Sequence, residues 1–225
     1  SSSLTVAIPQ PLWSEQNPED WWTATCATLD ELKQRNDLSV VKALGLAGQM
    51  HGATLLDKAG RVLRPAILWN DGRSEEQCRT LESTVTKARV ITGNLVMPGF
   101  TAPKLLWVKE NEPDIFKQVD KVLLPKDYLR YKLTGEFASD MSDSAGTSWL
   151  NTGERSWSKS MLMACGLSEK HMPTLYEGNE ITGYLTAKTA KRWGMKAVPV
   201  VAGAGDNAAG AVGCGIVDAG QAMLS

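Results

Sequence analysis

The sequence contains few of the residues that bind metals or form disulfides. Four cysteines and two histidines occur in 225 residues, and no two cysteines form a Cys-x-x-Cys pair. Zinc sites draw their ligands from clusters of these residues, so the sequence predicts no metal site. Scattered cysteines are typical of free thiols in a reducing compartment, and we therefore expect a cytoplasmic protein.

Long hydrophobic runs and an excess of charge of one sign are also missing. The 24 Lys and Arg residues nearly balance the 25 Asp and Glu residues, for a net charge of -1. Because nucleic-acid-binding domains usually carry a basic excess, we expect no nucleic-acid partner. No apolar run approaches the length of a membrane span and no basic-then-apolar leader opens the chain, so we expect no membrane association.

The sequence does contain alternating helical and strand patterns, which favour an α/β fold. Apolar residues recur every three or four positions over 19–34, which predicts a helix after Pro18. Ser74 and Gln77 have the spacing of a capping box at a helix start. Further helices are predicted at 101–111, 126–134, 158–165 and 186–193. Strands are predicted at 38–48, 121–125 and 197–203, with a hairpin over 52–69 and a loop with short strands over 136–156.

Two predicted strands run into glycine-rich turns that contain polar residues. The turn in ALGLAGQMHG contains Met50 and His51, and the turn in VVAGAGDNAAGAVG contains Asp206 and Asn207. Ligands bind at the carboxyl ends of strands in open α/β sheets. Both turns are therefore candidate ligand sites.

The residues alone leave three interpretations of the second turn open. Gly203 and Gly205 fit a dinucleotide-binding loop only loosely, because Ala208 stands at the third glycine position. Asp206 precedes a plausible helix start, so its carboxylate could simply cap that helix. It could also be a general base that accepts a proton from a substrate hydroxyl. Capping and catalysis are compatible with each other.

Two other candidate residues have both a structural and a functional interpretation. A lone histidine after a strand is more often a hydrogen-bonded structural residue than a catalyst. However, the glycines that surround His51 suit a side chain that projects into a cleft. Trp69 follows an apolar strand, and core packing is its structural interpretation. Asp71 and Arg73 are explained by an ion pair or by capping of the next helix.

Several segments, in order, resemble the FGGY family of carbohydrate kinases, and within it the bacterial xylulokinases. They are WSEQNPEDWW, GLAGQMHGATLLD, RPAILWNDGR, VLLPKDYLRYKLTGEFASDMSDSAGT and VVAGAGDNAAGAVG. The first signature of the family is also matched, by Gly99, Thr101, Lys104 and Trp107 among others. The resemblance extends from Trp13 to the end of the Asp206 segment, which makes it specific.

The resemblance implies an actin-like ATPase or ribonuclease H-like fold, with a mixed sheet flanked by helices. It implies that residues 1–225 form most of the N-terminal, sugar-binding domain of a two-domain kinase. The first strands with their phosphate loop and the C-terminal nucleotide domain would then lie outside this chain. Asp206 matches the catalytic base of the family. The residues that match sugar contacts are Met50, His51, Trp69 and Asn207.

The implied reaction transfers the γ-phosphate of ATP to the 5-hydroxyl of D-xylulose and gives D-xylulose 5-phosphate. ATP and Mg²⁺ would be bound mainly by parts outside this chain, so this fragment alone is expected to be inactive. Another substrate, such as a different pentulose, gluconate or glycerol, remains open, although the glycerol kinase pattern has Arg-Glu where this chain has Met50 and His51. A non-catalytic sugar-binding fragment and assembly as a homodimer also remain open.

Overall fold

Helices and strands alternate along the chain. The computed structural model describes residues 1–224. Its helices are α1 (Pro18–Arg35), α2 (Glu75–Thr84), α3 (Ala88–Thr92), α4 (Thr101–Asn111), α5 (Pro113–Phe116), α6 (Pro125–Thr134), α7 (Met141–Ala145), α8 (Lys159–Ala164), α9 (Ala187–Trp193) and α10 (Asp206–Gly213). Its strands are β1 (Glu15–Gln16), β2 (Leu44–Gly48), β3 (Thr54–Leu56), β4 (Ala66–Ile67), β5 (Lys121–Leu123), β6 (Ala138–Asp140), β7 (Leu150–Asn151), β8 (Ser156–Trp157), β9 (Thr174–Tyr176), β10 (Ile181–Tyr184) and β11 (Pro199–Gly205). The predicted α/β class is confirmed.

A three-stranded sheet in the order β10-β11-β2 determines where the candidate residues meet. Strand β11 is antiparallel to β10 and parallel to β2, so the sheet is mixed, as predicted. In the parallel pair, Val200 lies beside Leu44 and Gly205 lies beside Gly48. Because both strands run in the same direction, the two glycine-rich turns that follow them leave the same edge of the sheet.

Helices α1, α6 and α9 contribute the apolar cluster on which this sheet rests. Cys26 from α1, Leu133 from α6 and Trp193 from α9 are buried together with Val200. Burial of each large apolar side chain contributes about 1.5–3 kcal/mol. None of the helices within residues 1–224 is long and apolar enough to cross a membrane.

The ends of α1 and α6 follow the capping signals in the sequence. The side chain of Asn17 accepts a hydrogen bond from the Glu19 amide at 3.1 Å, and Pro18 occupies the first position of α1. Helix α6 ends at Gly135, which has a left-handed φ of 85°. The helices predicted at 19–34 and 126–134 are therefore confirmed.

Three local predictions are wrong in detail. Residues 38–40 form a 3₁₀ turn before β2, because the Asp37 carboxylate caps the Ser39 amide. Ser74 precedes α2 as predicted, but its hydroxyl donates to the carbonyl of Pro98, so no capping box forms. In the predicted hairpin, the turn over 57–60 forms and isolated bridges join Ala53 to Ile67 and Leu56 to Val62, but the main partners of β3 and β4 are β5 and β1.

The segment predicted as a loop with short strands, residues 136–156, contains a short helix. Helix α7 follows β6 directly, and the Asp140 carboxylate caps it by accepting from the amides of Ser142 and Asp143, at 2.9 and 3.1 Å. It packs against β11. The described residues of this segment also form short strands, as predicted. These are β6, β7 and the first residue of β8.

Candidate active site

Asp206 lies where strand β11 gives way to helix α10. It is the first residue of α10 and its carboxylate is exposed, with one oxygen accepting from the Asn207 amide at 3.0 Å. The N-cap position is occupied by Gly205, and no side chain caps the helix there. A carboxylate in the first turn is still favoured by the helix dipole. Asp206 is therefore not the N-cap residue of α10, although its carboxylate accepts from an amide of the first turn.

The segment before Asp206 does not form the glycine turn that a dinucleotide-binding loop requires. Gly203 lies inside β11, where its φ of 75° accompanies a register shift against β2. A Cβ at this position would lie 1.8 Å from the carbonyl oxygen of Leu46, so the glycine is needed for strand packing. The helix then starts directly at Asp206, which leaves no glycine turn for a pyrophosphate.

His51 follows β2 and has an unusual backbone conformation. Its φ of 67° is in the left-handed region, which non-glycine residues seldom occupy outside functional or constrained sites. Its carbonyl accepts from the Lys104 ammonium at 3.0 Å and from the Thr101 hydroxyl at 3.2 Å. On the ring, Nδ1 lies 2.7 Å from the carbonyl oxygen of Gly146. Backbone and ring are thus both held in place.

The imidazole and the Asp206 carboxylate interact electrostatically. Burial lowers the pKa of His51, while the hydrogen bond to Gly146 and the negative charge of Asp206 oppose that shift. Met50 packs at the same place, because a Cβ on Gly205 would lie 2.9 Å from its Cγ. The structure therefore brings Met50, His51 and Asp206 together at the shared end of β2 and β11.

Trp69 and Asn207 lie at the surface. The Trp69 side chain is 56% exposed, so core packing, the structural alternative for this residue, does not explain it. Its carbonyl oxygen would lie 2.5 Å from a Cβ on Gly99, which places its backbone against the loop that precedes α4. Asn207 is exposed in the first turn of α10. Both side chains are therefore accessible from solvent, as a contact with a sugar requires.

The residues that follow Trp69 form the predicted ion pair. Arg73 contacts the Asp71 carboxylate at 2.7 Å, and both side chains are buried. The guanidinium also stacks on the ring of Trp13 at 3.6 Å from its centroid. This network anchors the loop that begins with Trp69.

Lys104 is a site residue whose role the sequence did not reveal. Its side chain is fully buried, and its ammonium donates to the carbonyls of His51 and Gly99, at 3.0 and 2.6 Å. Burial lowers the pKa of Lys104 to about 7. The family signature includes this lysine, and the structure indicates that it supports the backbone of His51.

A buried charged cluster behind the turn was also missed. We call it the Lys126 cluster. A Cβ on Gly48 would lie 3.2 Å from the Cβ of Lys126, so the cluster adjoins the end of β2. The ammonium contacts carboxylate oxygens at distances of 2.6 to 3.1 Å. The members of the cluster are Lys126, Asp127, Arg130, Asp140 and Asp143.

The acidic residues of the Lys126 cluster outnumber its cations by three to two. Burial disfavours the ammonium of Lys126, but the surrounding carboxylates raise its pKa above the ordinary value. Burial also raises the pKa of Asp143 to about 7, against the opposing effect of Lys126. No group of three or more His, Cys, Asp or Glu side chains in residues 1–224 could hold a metal ion.

The fold and the paired turns are those of a carbohydrate kinase domain. The chain belongs to the FGGY family of carbohydrate kinases, because residues 1–213 match the family's N-terminal domain. It is 67% identical, over its whole length, to the xylulose kinase of Escherichia coli (strain K12) and 42% identical, over 95% of its length, to that of Bacillus subtilis (strain 168). The chain covers 46% and 44% of those proteins, so it spans about half the length of the relatives it matches.

Solved structures agree with this assignment. The crystal structure of a "xyloylose kinase" from Brucella ovis matches with a TM-score of 0.93 and 54% identity, over 96% of this chain and 45% of that one. The xylulose kinase of Rhodospirillum rubrum matches with a TM-score of 0.91 and 28% identity, over 96% and 46%. These neighbours have the actin-like ATPase fold, so the fold predicted from the resemblance is confirmed.

Proposed function

We propose that the full-length protein transfers the γ-phosphate of ATP to the 5-hydroxyl of D-xylulose, and that this chain forms most of its sugar-binding domain. The observation that supports this best is the meeting of Asp206 and His51 at the shared end of β2 and β11. The 67% identity to a xylulose kinase supports the choice of substrate. The chain by itself is expected to lack kinase activity.

Asp206 is the proposed general base. A sugar hydroxyl is a weak nucleophile, and phosphoryl transfer depends mainly on alignment and on neutralisation of charge. An exposed carboxylate at the start of α10 can orient the attacking hydroxyl and accept its proton as the sugar oxygen bonds to the γ-phosphorus and the bond from that phosphorus to the departing ADP breaks. General base catalysis of this kind contributes roughly 10²–10⁴-fold to the rate.

His51 is proposed to accept a hydrogen bond from another hydroxyl of the sugar. A carbonyl oxygen can only accept, so the close contact with Gly146 requires a proton on Nδ1. Since burial favours the neutral ring, Nε2 then carries a lone pair and no proton. Met50 and Trp69 would supply apolar faces for the carbon skeleton, and Asn207 a further polar contact.

The proposed domain has a further strand on the edge of β2 that does not face β11. In residues 1–224, β2 pairs with β11 on one edge and with no named strand on the other. A groove of about 470 Å³ lies there, lined by Leu44 and Leu46 of β2 and by Trp21 and Leu129 of the neighbouring helices. An apolar groove along an open strand edge fits the first strands that the family places before this segment.

ATP and Mg²⁺ are the proposed co-substrate and metal of the full-length protein. Mg²⁺ is held by carboxylates together with phosphate oxygens, and the Asp206 turn offers a single carboxylate. That donor set alone does not form a magnesium site, so no Mg²⁺ ligand is assigned among the described residues. A cytoplasmic location and assembly as a homodimer complete the proposal.

A substrate panel tests the choice of sugar. The full-length protein is assayed with D-xylulose, other pentuloses, gluconate and glycerol, and kcat/KM is compared between them. The Met50 and His51 pair presents one acceptor and one apolar group, which suits a neutral ketose. We expect the highest kcat/KM for D-xylulose. A higher value for gluconate or glycerol would contradict the substrate while leaving the fold assignment intact.

The contact between His51 and Gly146 gives a further prediction. A Cβ at Gly146 would lie 2.4 Å from Cε1 of His51, so Gly146→Ala should displace the ring. We expect the KM for D-xylulose to rise roughly tenfold, the equivalent of one lost hydrogen bond, with the KM for ATP little changed. Gly153→Ala is the matched control, because its Cβ would meet only Asn151 Oδ1, at 3.7 Å. An unchanged sugar KM in Gly146→Ala would argue against His51 as a sugar contact.

A further inference from the structure

Helix α7 is hydrogen-bonded to both turns of the candidate site. At its N-terminal end, the hydroxyl oxygen of Ser142 accepts a hydrogen bond from the amide of Gly205, at 3.3 Å. At its C-terminal end, the carbonyl oxygen of Gly146 accepts a hydrogen bond from Nδ1 of His51. Gly205 is the residue immediately before Asp206. The short helix therefore links the proposed base to the proposed sugar contact.

The orientation of the Ser142 hydroxyl is determined by its neighbour Asp140. The hydroxyl donates its only proton to Oδ2 of Asp140, which leaves its lone pairs for the amide of Gly205. The other carboxylate oxygen of Asp140 is held by Lys126 at 2.7 Å, and Asp140 is 1% exposed. A continuous path thus runs from the Lys126 cluster through Asp140 and Ser142 to the backbone before Asp206.

Gly205 is also confined from another direction. A Cβ there would lie 2.9 Å from Cγ of Met50, and the residue is in register with Gly48 of β2. Contacts with Met50, β2 and Ser142 together leave the last residue of β11 little freedom. Asp206 follows it directly, so the direction of its carboxylate depends on these contacts.

We propose that Ser142 is a positioning residue, which holds the peptide before Asp206 so that the carboxylate points at the attacking hydroxyl. The proposal rests on the proposed role of Asp206 as general base. Small errors of alignment are costly in such reactions, since a displacement of about 1 Å can lower the rate by about 10²-fold. Ser142 itself transfers no proton to or from the sugar.

Three variants of the full-length protein test the proposal. Ser142→Ala removes the acceptor, Ser142→Thr retains a hydroxyl, and Ser144→Ala is the matched control on the same helix. The Ser144 hydroxyl is buried and bonds to Ser139 at 3.0 Å, away from Gly205. For Ser142→Ala we expect kcat to fall by at least about tenfold, with the sugar KM within about twofold. Ser142→Thr should recover at least half of the wild-type kcat, and Ser144→Ala should stay within about twofold of it.

A double-mutant cycle distinguishes positioning from a general loss of structure. If Ser142 acts through Asp206, adding Ser142→Ala to Asp206→Asn should cause little further loss of kcat. Independent effects that multiply would overturn the proposal. If Asp206→Asn itself retains full activity, the proposed role of Asp206 fails, and this outcome is separate from any result for Ser142.

Hydrogen exchange supplies a readout that does not depend on activity. Peptides covering residues 200–206 should exchange several-fold faster in Ser142→Ala than in the wild type, with no change in Ser144→Ala. Unchanged exchange in that segment of Ser142→Ala, or equal acceleration in both variants, would overturn the proposal. The same measurement reports on folding, because exchange in α1 should be unaffected in either variant.

Discussion

Replacing Asp206 by asparagine in the full-length protein is expected to lower kcat with D-xylulose by roughly 10²–10⁴-fold. Asparagine keeps the size and the exposed position at the start of α10 but cannot accept a proton. Sugar binding should be little affected, so the KM for D-xylulose should stay within a few-fold. Steady-state kinetics with a coupled assay for ADP measures both constants.

The control for this variant removes a carboxylate from the first turn of a different helix, α1. Asp20 is exposed near the start of α1 and has no place in the candidate site, so Asp20→Asn should retain the wild-type kcat. If Asp206→Asn retained more than about a tenth of the wild-type kcat, a role as general base would be contradicted, since base catalysis contributes at least about 10²-fold. A fall in sugar affinity alone would indicate a binding role.

Replacing Lys126 by methionine is expected to destabilise the protein by about 3–5 kcal/mol, because removal of one partner leaves buried charge uncompensated. Methionine fills a similar volume but leaves three buried carboxylates with Arg130 as the remaining cation of the cluster. The free energy of unfolding in urea measures the loss. Because the carboxylates can take up protons, the loss should be smaller at acidic pH than at pH 8.

Lys132→Met is the matched control, from the same helix. Lys132 contacts Glu19 at 3.1 Å at the protein surface, where such pairs contribute about 0–1 kcal/mol. A similar loss of stability in both variants would show that the Lys126 cluster is not a special feature of the fold. If Lys126→Met were as stable as the wild type, Lys126 would not be the fixed support that we propose for Asp140 and Ser142.

The two turns could be located from the sequence, but their meeting depends on the direction in which the two strands pair. Glycines after two predicted strands marked the turns around His51 and Asp206, and the family resemblance supplied the roles. The parallel pairing of β2 and β11 then placed both turns at one edge. For Trp69 the sequence left core packing and a sugar contact both open, because an apolar strand before a tryptophan does not show which way the ring turns.

The supporting residues could not be predicted from the sequence. Helix α7 has five residues, too few to show a helical period, and its segment is rich in Ser and Asp, which favour turns. Lys126, Asp127 and Arg130 would be expected on the solvent face of α6, yet all three are buried. Their partners Asp140 and Asp143 lie on other elements, and only the fold brings the five charges together.

A structure of the full-length protein with D-xylulose bound would show directly whether Asp206 faces the attacking hydroxyl. We expect the 5-hydroxyl to lie within about 3 Å of a carboxylate oxygen of Asp206, the reach required of a general base. We also expect a second hydroxyl to donate to Nε2 of His51. A sugar bound away from the shared end of β2 and β11, or one with its 5-hydroxyl turned from Asp206, would contradict the account.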